Sequence, residues 1–287
     1  MSPDGKLTFG EDDQWVYDKS TKTYDLTRGK PDSPSSSPPL SIRTTQGPPD
    51  TKILISPARS ALVIVDMQNF FLHPSCRAHP AGLAAVGPLL RTIEHCRARG
   101  IQVVWLNWGL TDADLAGMPP GVLRGFAKAA IAGKAAAGAV GLGADLGEGK
   151  GRCLVAGEWN SEVYGPLAGA ARERDDVQCA KNRMSGLWCE SQPLWRYLSG
   201  VVAEGAKEAE GQGHAPGGEK RTLLFAGVNT DQCVLGTLTD AYNAGWDCVM
   251  VEDCCATTTE GAREVCLDNV GRNYGFVIDS KTLAEAC

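Results

Sequence analysis

One stretch, Arg221 to Ala256 (RTLLFAGVNTDQCVLGTLTDAYNAGWDCVMVEDCCA), constrains the fold more than any other part of the chain. It opens with an apolar run, Leu223 to Ala226, breaks at Gly227-Val228-Asn229-Thr230, and resumes at helical spacing through Val234, Leu235, Leu238, Ala241 and Tyr242. The periodicity therefore switches from strand to helix across a tight turn. Asp231 or Thr230 is placed to cap the helix, and Gly245 to end it before a second apolar run, Cys248 to Val251. The stretch reads as one βαβ unit. Cys233 falls in the first helical turn, where unpaired N–H groups and the helix dipole lower a thiol pKa, so it is a candidate nucleophile. The plainer reading is a small apolar residue packed under the sheet, and one of 11 cysteines needs partners before the choice is made.

The partners come from the other strands. Ala61 to Val65 is an uninterrupted apolar run, as expected of a strand buried on both faces of a parallel sheet, and it ends at Asp66-Met67-Gln68-Asn69-Phe70-Phe71. Ligands of open α/β sheets bind beyond the carboxyl ends of the strands, so a carboxylate at Asp66 faces the crevice. A helix follows over Ala81 to Arg99, closed by Gly100, and then a strand from Gln102 to Leu106 that ends in Asn107-Trp108-Gly109. Asp176 to Ala180 reads as the next strand, ending at Lys181, with Ser185-Gly186 opening a helix through Trp188, Leu194, Tyr197 and Leu198. A helix over Glu260 to Asn273 and a strand over Phe276 to Ile278 complete five or six βα repeats. Each polar residue alone is as easily a surface group. Together an Asp, a Lys and a Cys lie at carboxyl ends of strands that share one face in a right-handed topology. There an ammonium favours the thiolate, and a carboxylate can take the thiol proton and pass it to a leaving amine. Backbone N–H groups around Asn229 and Cys233 are placed to hold an oxyanion.

The remaining segments set boundaries. Residues 1–50 form an extension. Asp13 to Leu26 carries three aromatics about a Lys-Ser-Thr-Lys turn and reads as a hairpin clasp on the body, over its own active site or a neighbour's. Gly29 to Asp50 is rich in Pro and Ser and reads as a linker without a core. Residues 51–287 form the main domain, with insertions near 111–165, where AKAAIAGKAAAG suggests a short helix, and 201–220, a solvated loop. A net charge of -6 and a pI near 5.3 leave no basic field for nucleic acid or anionic membrane. No apolar run approaches the ~20 residues of a membrane helix. The N-terminus lacks the basic flank and apolar core of a secretory signal, and cysteines without framework spacing suit a reducing compartment; a cytoplasmic location is expected.

At this point the sequence resembles the isochorismatase-like cysteine hydrolases, among them nicotinamidases, N-carbamoylsarcosine amidase, biuret hydrolase and ureidoacrylate amidohydrolase. VIVDMQNFF, the K-x-x-x-S-G run at KNRMSG and the Gly227 to Ala256 motif carry the resemblance, which spans Ala61 to about Ile278. It implies a three-layer αβα sandwich with a six-stranded parallel sheet, catalytic Asp66, Lys181 and Cys233, and a non-proline cis peptide at Val228-Asn229 that aims the Asn229 N–H into the oxyanion site. Nicotinamidases of this kind bind a metal through an Asp and two His after the second strand; the same stretch here, LNWGLTDADLAGM, has no His, so neither a metal nor another cofactor is expected. Gln68, Phe71, Asn107, Trp108, Trp159 and Trp188 are candidate substrate-binding residues. The expected activity is hydrolysis of a C–N bond in a small amide, ureido or carbamoyl molecule, with a homo-oligomer of two to four copies implied by the resemblance. Two alternatives stay open. One is vinyl-ether hydrolysis in the manner of isochorismatases, with Cys233 a bystander; the other is a binding or redox module using Cys254 and Cys255.

Overall fold

The computed structural model describes residues 5–29, 37–133, 141–173, 175–200 and 220–286. Among the described residues eleven strands fall into two sheets. Five short ones form the first: β1 (Lys6–Phe9), β2 (Trp15–Asp18), β3 (Thr23–Asp25), β4 (Leu40–Arg43) and β5 (Lys52–Ile55), in the order β1-β2-β3-β5-β4. The second contains β6 (Ser60–Val65), β7 (Gln102–Trp108), β8 (Val177–Lys181), β9 (Thr222–Val228), β10 (Asp247–Ala256) and β11 (Phe276–Ile278). Its order is β11-β10-β9-β6-β7-β8 and every pairing is parallel. Every residue of β6 and β9 is buried, because helices cover both faces of the sheet.

The order of the strands decides where a ligand can bind. From β6 the chain moves outward to β7 and β8, then returns to the other side of β6 as β9 and moves out again. The topological switch point therefore lies between β6 and β9, where the two crossovers leave in opposite directions and open a crevice at the carboxyl ends. Helix Pro80–Arg99 joins β6 to β7 and buries Ala85, Leu89, Ile93 and Cys96. It stops at Gly100, whose backbone is left-handed (φ 79°). Helix Leu235–Asn243 follows β9 and buries Leu238 and Ala241.

Several expectations need correction. Residues 37–50 are not a coreless linker: Leu40 and Ile42 are fully buried in β4 while Ser41 and Arg43 face outward, the alternation of a half-buried strand. The helix expected from Ser185 forms only over Pro193–Leu198. Proline suits the first turn and the Gly186 N–H is already donated to Thr237 Oγ1, so the preceding residues stay a loop. The helix expected over Glu260 to Asn273 starts at Ala262, behind left-handed Gly261, and widens into a π-type turn over Val270–Tyr274. Within the alanine-rich insertion Lys128–Ile131 is helical; its continuation over 134–140 and the 201–219 loop lie outside the described residues.

β2 and β3 pair antiparallel, with Tyr17 opposite Tyr24. This hairpin sits far from the crevice. Trp15 and Tyr24 pack on Phe276, with ring centroids 5.6 and 5.1 Å apart, and Phe276 opens β11. Arg28 places Nη1 and Nη2 on the two carboxylate oxygens of Asp247 at 2.8 and 2.6 Å, and Trp15 Nε1 donates to the same carboxylate at 2.8 Å. Asp247 opens β10, so the clasp is bolted to the amino end of the sheet, away from the crevice of its own chain. Among the described residues no helix is long and apolar enough to cross a membrane.

Candidate active site

Asp66 and Cys233 flank the switch point from either side. Asp66 follows β6 directly and holds a left-handed backbone (φ 53°), a conformation that non-glycine residues adopt rarely and that recurs at functional positions. The turn after β9 is as constrained. Gly227 has φ 117°, and a Cβ there would lie 2.0 Å from the carbonyl oxygen of Val65, so only glycine lets β9 run this close to β6. The Val228–Asn229 peptide is cis, and Thr230–Val234 forms a widened, π-type turn into the helix beyond. Neither Thr230 nor Asp231 caps that helix: Thr230 Oγ1 is buried without a partner, and Asp231 instead accepts a hydrogen bond from Thr257 Oγ1 at 2.5 Å.

Lys181 reaches the site from two strands away. It ends β8 opposite Trp108 of β7, and β7 separates it from β6, a span of roughly 10 Å at the usual strand spacing. Its stem crosses the end of β7 so that Nζ lies 4.0 Å from the centre of the Trp108 ring. Nζ then stands 2.9 Å from Asp66 Oδ2, 3.5 Å from Cys233 Sγ and 3.2 Å from the carbonyl of Arg183. The Asp66 and Lys181 side chains are both 0% exposed. Through that shared ammonium the Asp66 carboxylate and the Cys233 sulfur are brought together at one point.

The electrostatics differ from what a helix-start cysteine suggests. Burial pushes the Cys233 thiol up to about 12, and the neighbouring Asp66 charge pushes the same way; Lys181 and the Trp108 indole oppose them. Burial likewise holds Asp66 above the usual carboxylate range, against the pull of Lys181. Desolvation outweighs the helix dipole because the whole group is shut off from water. The resting sulfur is therefore a thiol with an acceptor carboxylate beside it.

The surroundings fix this trio in place. Gln68 is fully buried and spends its amide on backbone: Nε2 donates to the carbonyls of Trp108 at 2.8 Å and Ser161 at 2.6 Å, while Oε1 accepts from the Trp108 N–H at 3.0 Å. It braces the end of β7 and has no amide group left for substrate. The loop after Lys181 lies across Cys233, whose Sγ is 3.2 Å from Met184 Sδ. That loop is anchored by Thr237 Oγ1, which takes the Gly186 N–H at 3.2 Å and donates to the Cys233 carbonyl at 2.7 Å. A Cβ on Gly186 would lie 2.6 Å from the Leu106 side chain, which explains the glycine in KNRMSG.

Of the other expected pocket residues, Trp108 is at the centre. Its indole Nε1–H is buried without an aligned acceptor. Asn107, one residue earlier, also carries a buried unpaired oxygen. Phe71 is in the hydrophobic core, edge to face with Phe70 at 4.9 Å. Trp159 lines a separate groove with His73, Ser75, Glu148, Gly149 and Lys150, which contains none of the central trio. Trp188 is 45% exposed on the loop beyond Met184 and donates to Asn182 Oδ1 at 3.1 Å. Sequence reasoning missed Met184, although it lies inside the quoted KNRMSG run, and His79, which precedes Pro80 at the start of a helix where an Asn or Ser is the usual cap. His79 Nε2 lies 2.8 Å from Asn229 Oδ1. Among the described residues no three His, Cys, Asp or Glu side chains converge as a metal site.

Residues 60–282 match the family model described as the isochorismatase domain. Solved structures share the architecture at low identity. N-carbamoylsarcosine amidase from Thermoplasma acidophilum is 24% identical with a TM-score of 0.52, over 77% of this chain and 96% of that one. A cysteine hydrolase from Pseudomonas syringae pv. phaseolicola is 18% identical with a TM-score of 0.57, over 80% and 93%. Nicotinamidase from Bacillus subtilis is 17% identical with a TM-score of 0.53, over 77% and 99%.

Proposed function

Because the chain belongs to the isochorismatase-like cysteine hydrolase family, we propose that it hydrolyses a C–N bond in a small amide, ureido or carbamoyl molecule, with Cys233 as nucleophile. The observation that carries this reading is the meeting of three side chains from three strand ends, with Lys181 Nζ 2.9 Å from Asp66 and 3.5 Å from the Cys233 sulfur in a site closed to water.

Asp66 takes the thiol proton as the sulfur attacks the carbonyl carbon. The carbonyl π pair becomes an oxyanion held by the Asn229 and Cys233 N–H groups. The N–H groups on either side of Cys233, those of Gln232 and Val234, both donate to the Asn229 carbonyl at 3.0 and 3.2 Å, which fixes the turn around the nucleophile. As the oxyanion collapses the C–N bond breaks, and Asp66 gives its proton to the departing nitrogen. An S-acyl or S-carbamoyl enzyme remains. Water then loses a proton to Asp66 and attacks the same carbon, the C–S bond breaks, and the sulfur recovers its proton. Lys181 stabilises both the carboxylate and the thiolate, with Nζ 2.9 Å from one and 3.5 Å from the other.

The test is ammonia release from nicotinamide, N-carbamoylsarcosine, biuret and ureidoacrylate by the wild type and Cys233→Ala side by side. Release that disappears in the variant supports the thiol mechanism and names the substrate class. A Cys233→Ala enzyme that works as well as the wild type overturns it, and pyruvate release from isochorismate by that variant would select vinyl-ether hydrolysis instead.

A further inference from the structure

We infer that His79 is a positioning residue for the turn that carries the nucleophile, holding Asn229 with one ring nitrogen while the other caps the helix after β6. The inference deepens the proposed reading of the site and rests on it. His79 is 1% exposed and Asn229 3% exposed. The Gly82 backbone N–H donates to His79 Nδ1 at 2.9 Å, and His79 Nε2 lies 2.8 Å from Asn229 Oδ1.

A backbone N–H can only donate, which settles the rest of the chain of contacts. Nδ1 must present a lone pair to Gly82, so the ring proton sits on Nε2. Nε2–H must then face an acceptor, so Asn229 presents its oxygen to His79 and turns its NH2 group away. The ring is neutral, and burial favours that form. Asn229 is also the residue whose carbonyl gathers the Gln232 and Val234 N–H groups around Cys233 and whose own N–H is assigned to the oxyanion. A single imidazole thus ties the start of helix Pro80–Arg99 to the oxyanion turn. Losing the tie costs more in the transition state than in the substrate complex, because only there does the oxyanion need both donors in register.

Two substitutions split the ring's two jobs. His79→Asn keeps an acceptor near the place of Nδ1 and cannot reach Asn229; His79→Gln carries an NH2 to about the place of Nε2 and gives up the cap. On a substrate the wild type turns over, His79→Asn is expected to lower kcat about tenfold, the worth of one hydrogen bond to a buried acceptor, with KM nearly unchanged and a modest fall in melting temperature from the unpaired Asn229 oxygen. His79→Gln is expected to melt earlier and to keep kcat. Full kcat in His79→Asn, or losses in both variants confined to melting temperature, would overturn the positioning role. A long-range 15N–1H spectrum of the full chain needs no substrate: it should show Nδ1 bare and Nε2 protonated. The opposite tautomer refutes this inference even if the amide panel succeeds, and the expected tautomer sustains the tie even if the panel fails.

Discussion

The sharpest prediction concerns the buried Asp66–Lys181 pair. With both side chains at 0% exposure and Nζ 2.9 Å from Oδ2, neither charge has water to fall back on once the other is removed. Truncating one partner of such a pair costs about 3–5 kcal/mol, because it strands the survivor's charge. Asp66→Asn and Lys181→Met should each pay that amount, a fall in melting temperature of roughly 6–15 °C for a chain of this size. The double variant strands nothing and replaces an ion pair with near-isosteric neutral groups, so most of the loss should return. The coupling energy in the cycle, the two single losses together less the small loss in the double variant, should therefore be at least about 5 kcal/mol in favour of the pair. Urea unfolding of the four proteins at pH 7, followed by fluorescence of the buried tryptophans, measures it, and all three variants should be inactive. If Asp66→Asn and Lys181→Met each unfold at the wild-type urea midpoint, the pair carries no stranded charge and the proton is already shared, which would remove Asp66 as the base.

Other consequences are quicker to test. Alkylation by iodoacetamide at pH 7, located by mass spectrometry, should label Cys189 before Cys233, since hydrogen bonds with Ser191 lower the half-buried Cys189 thiol and full burial raises the other. The raised Cys233 pKa contributes stability that is full below its ordinary value of 9.0 and is lost as pH climbs toward about 12, so the wild type should lose about 4 kcal/mol relative to Cys233→Ala across that window in pH-dependent unfolding. Trp108→Phe keeps the ring under Lys181 and removes only the indole N–H; if that donor serves the thiolate, alkylation of Cys233 should need a higher pH, and an unchanged profile would assign the N–H elsewhere. Arg28→Met should destabilise the fold by about 3 kcal/mol through the stranded Asp247 while leaving kcat alone, because the clasp grips the opposite end of the sheet.

The parts of the fold that were legible in the sequence are those where side-chain pattern and backbone period agree. Ala61 to Val65 and Leu223 to Ala226 could only be doubly covered strands, and Gly100 and Gly245 end their helices with left-handed backbones, at φ 79° and 93°. What escaped was set by contacts between distant segments. Nothing local in Leu40-Ser41-Ile42-Arg43 distinguishes it from a linker until β5 lies beside it. Gln68 has the composition of a pocket residue, and only the position of the Trp108 peptide turns it into a brace. The thiol shows the same limit: a helix start argues for a low pKa, and the burial that reverses the sign is set by distant segments, among them the loop after β8 that lays Met184 on the sulfur.

That reversal makes chemical sense on the proposed path. Expelling an amine or ammonia from a tetrahedral intermediate requires a proton at the leaving nitrogen, since the amide anion is a far worse leaving group than a thiolate. A site that kept Cys233 ionised at rest would have surrendered that proton to solvent before substrate arrived. Here burial keeps it on the sulfur, Asp66 lies beside it with a carboxylate whose own affinity for protons is raised, and Lys181 keeps the negative charge tolerable wherever it moves among the two. One proton then travels from sulfur to carboxylate to nitrogen without leaving the site. Both shifts are upward and both follow from excluding water, so a substitution that wets the site should suppress C–N cleavage more than it suppresses alkylation of Cys233.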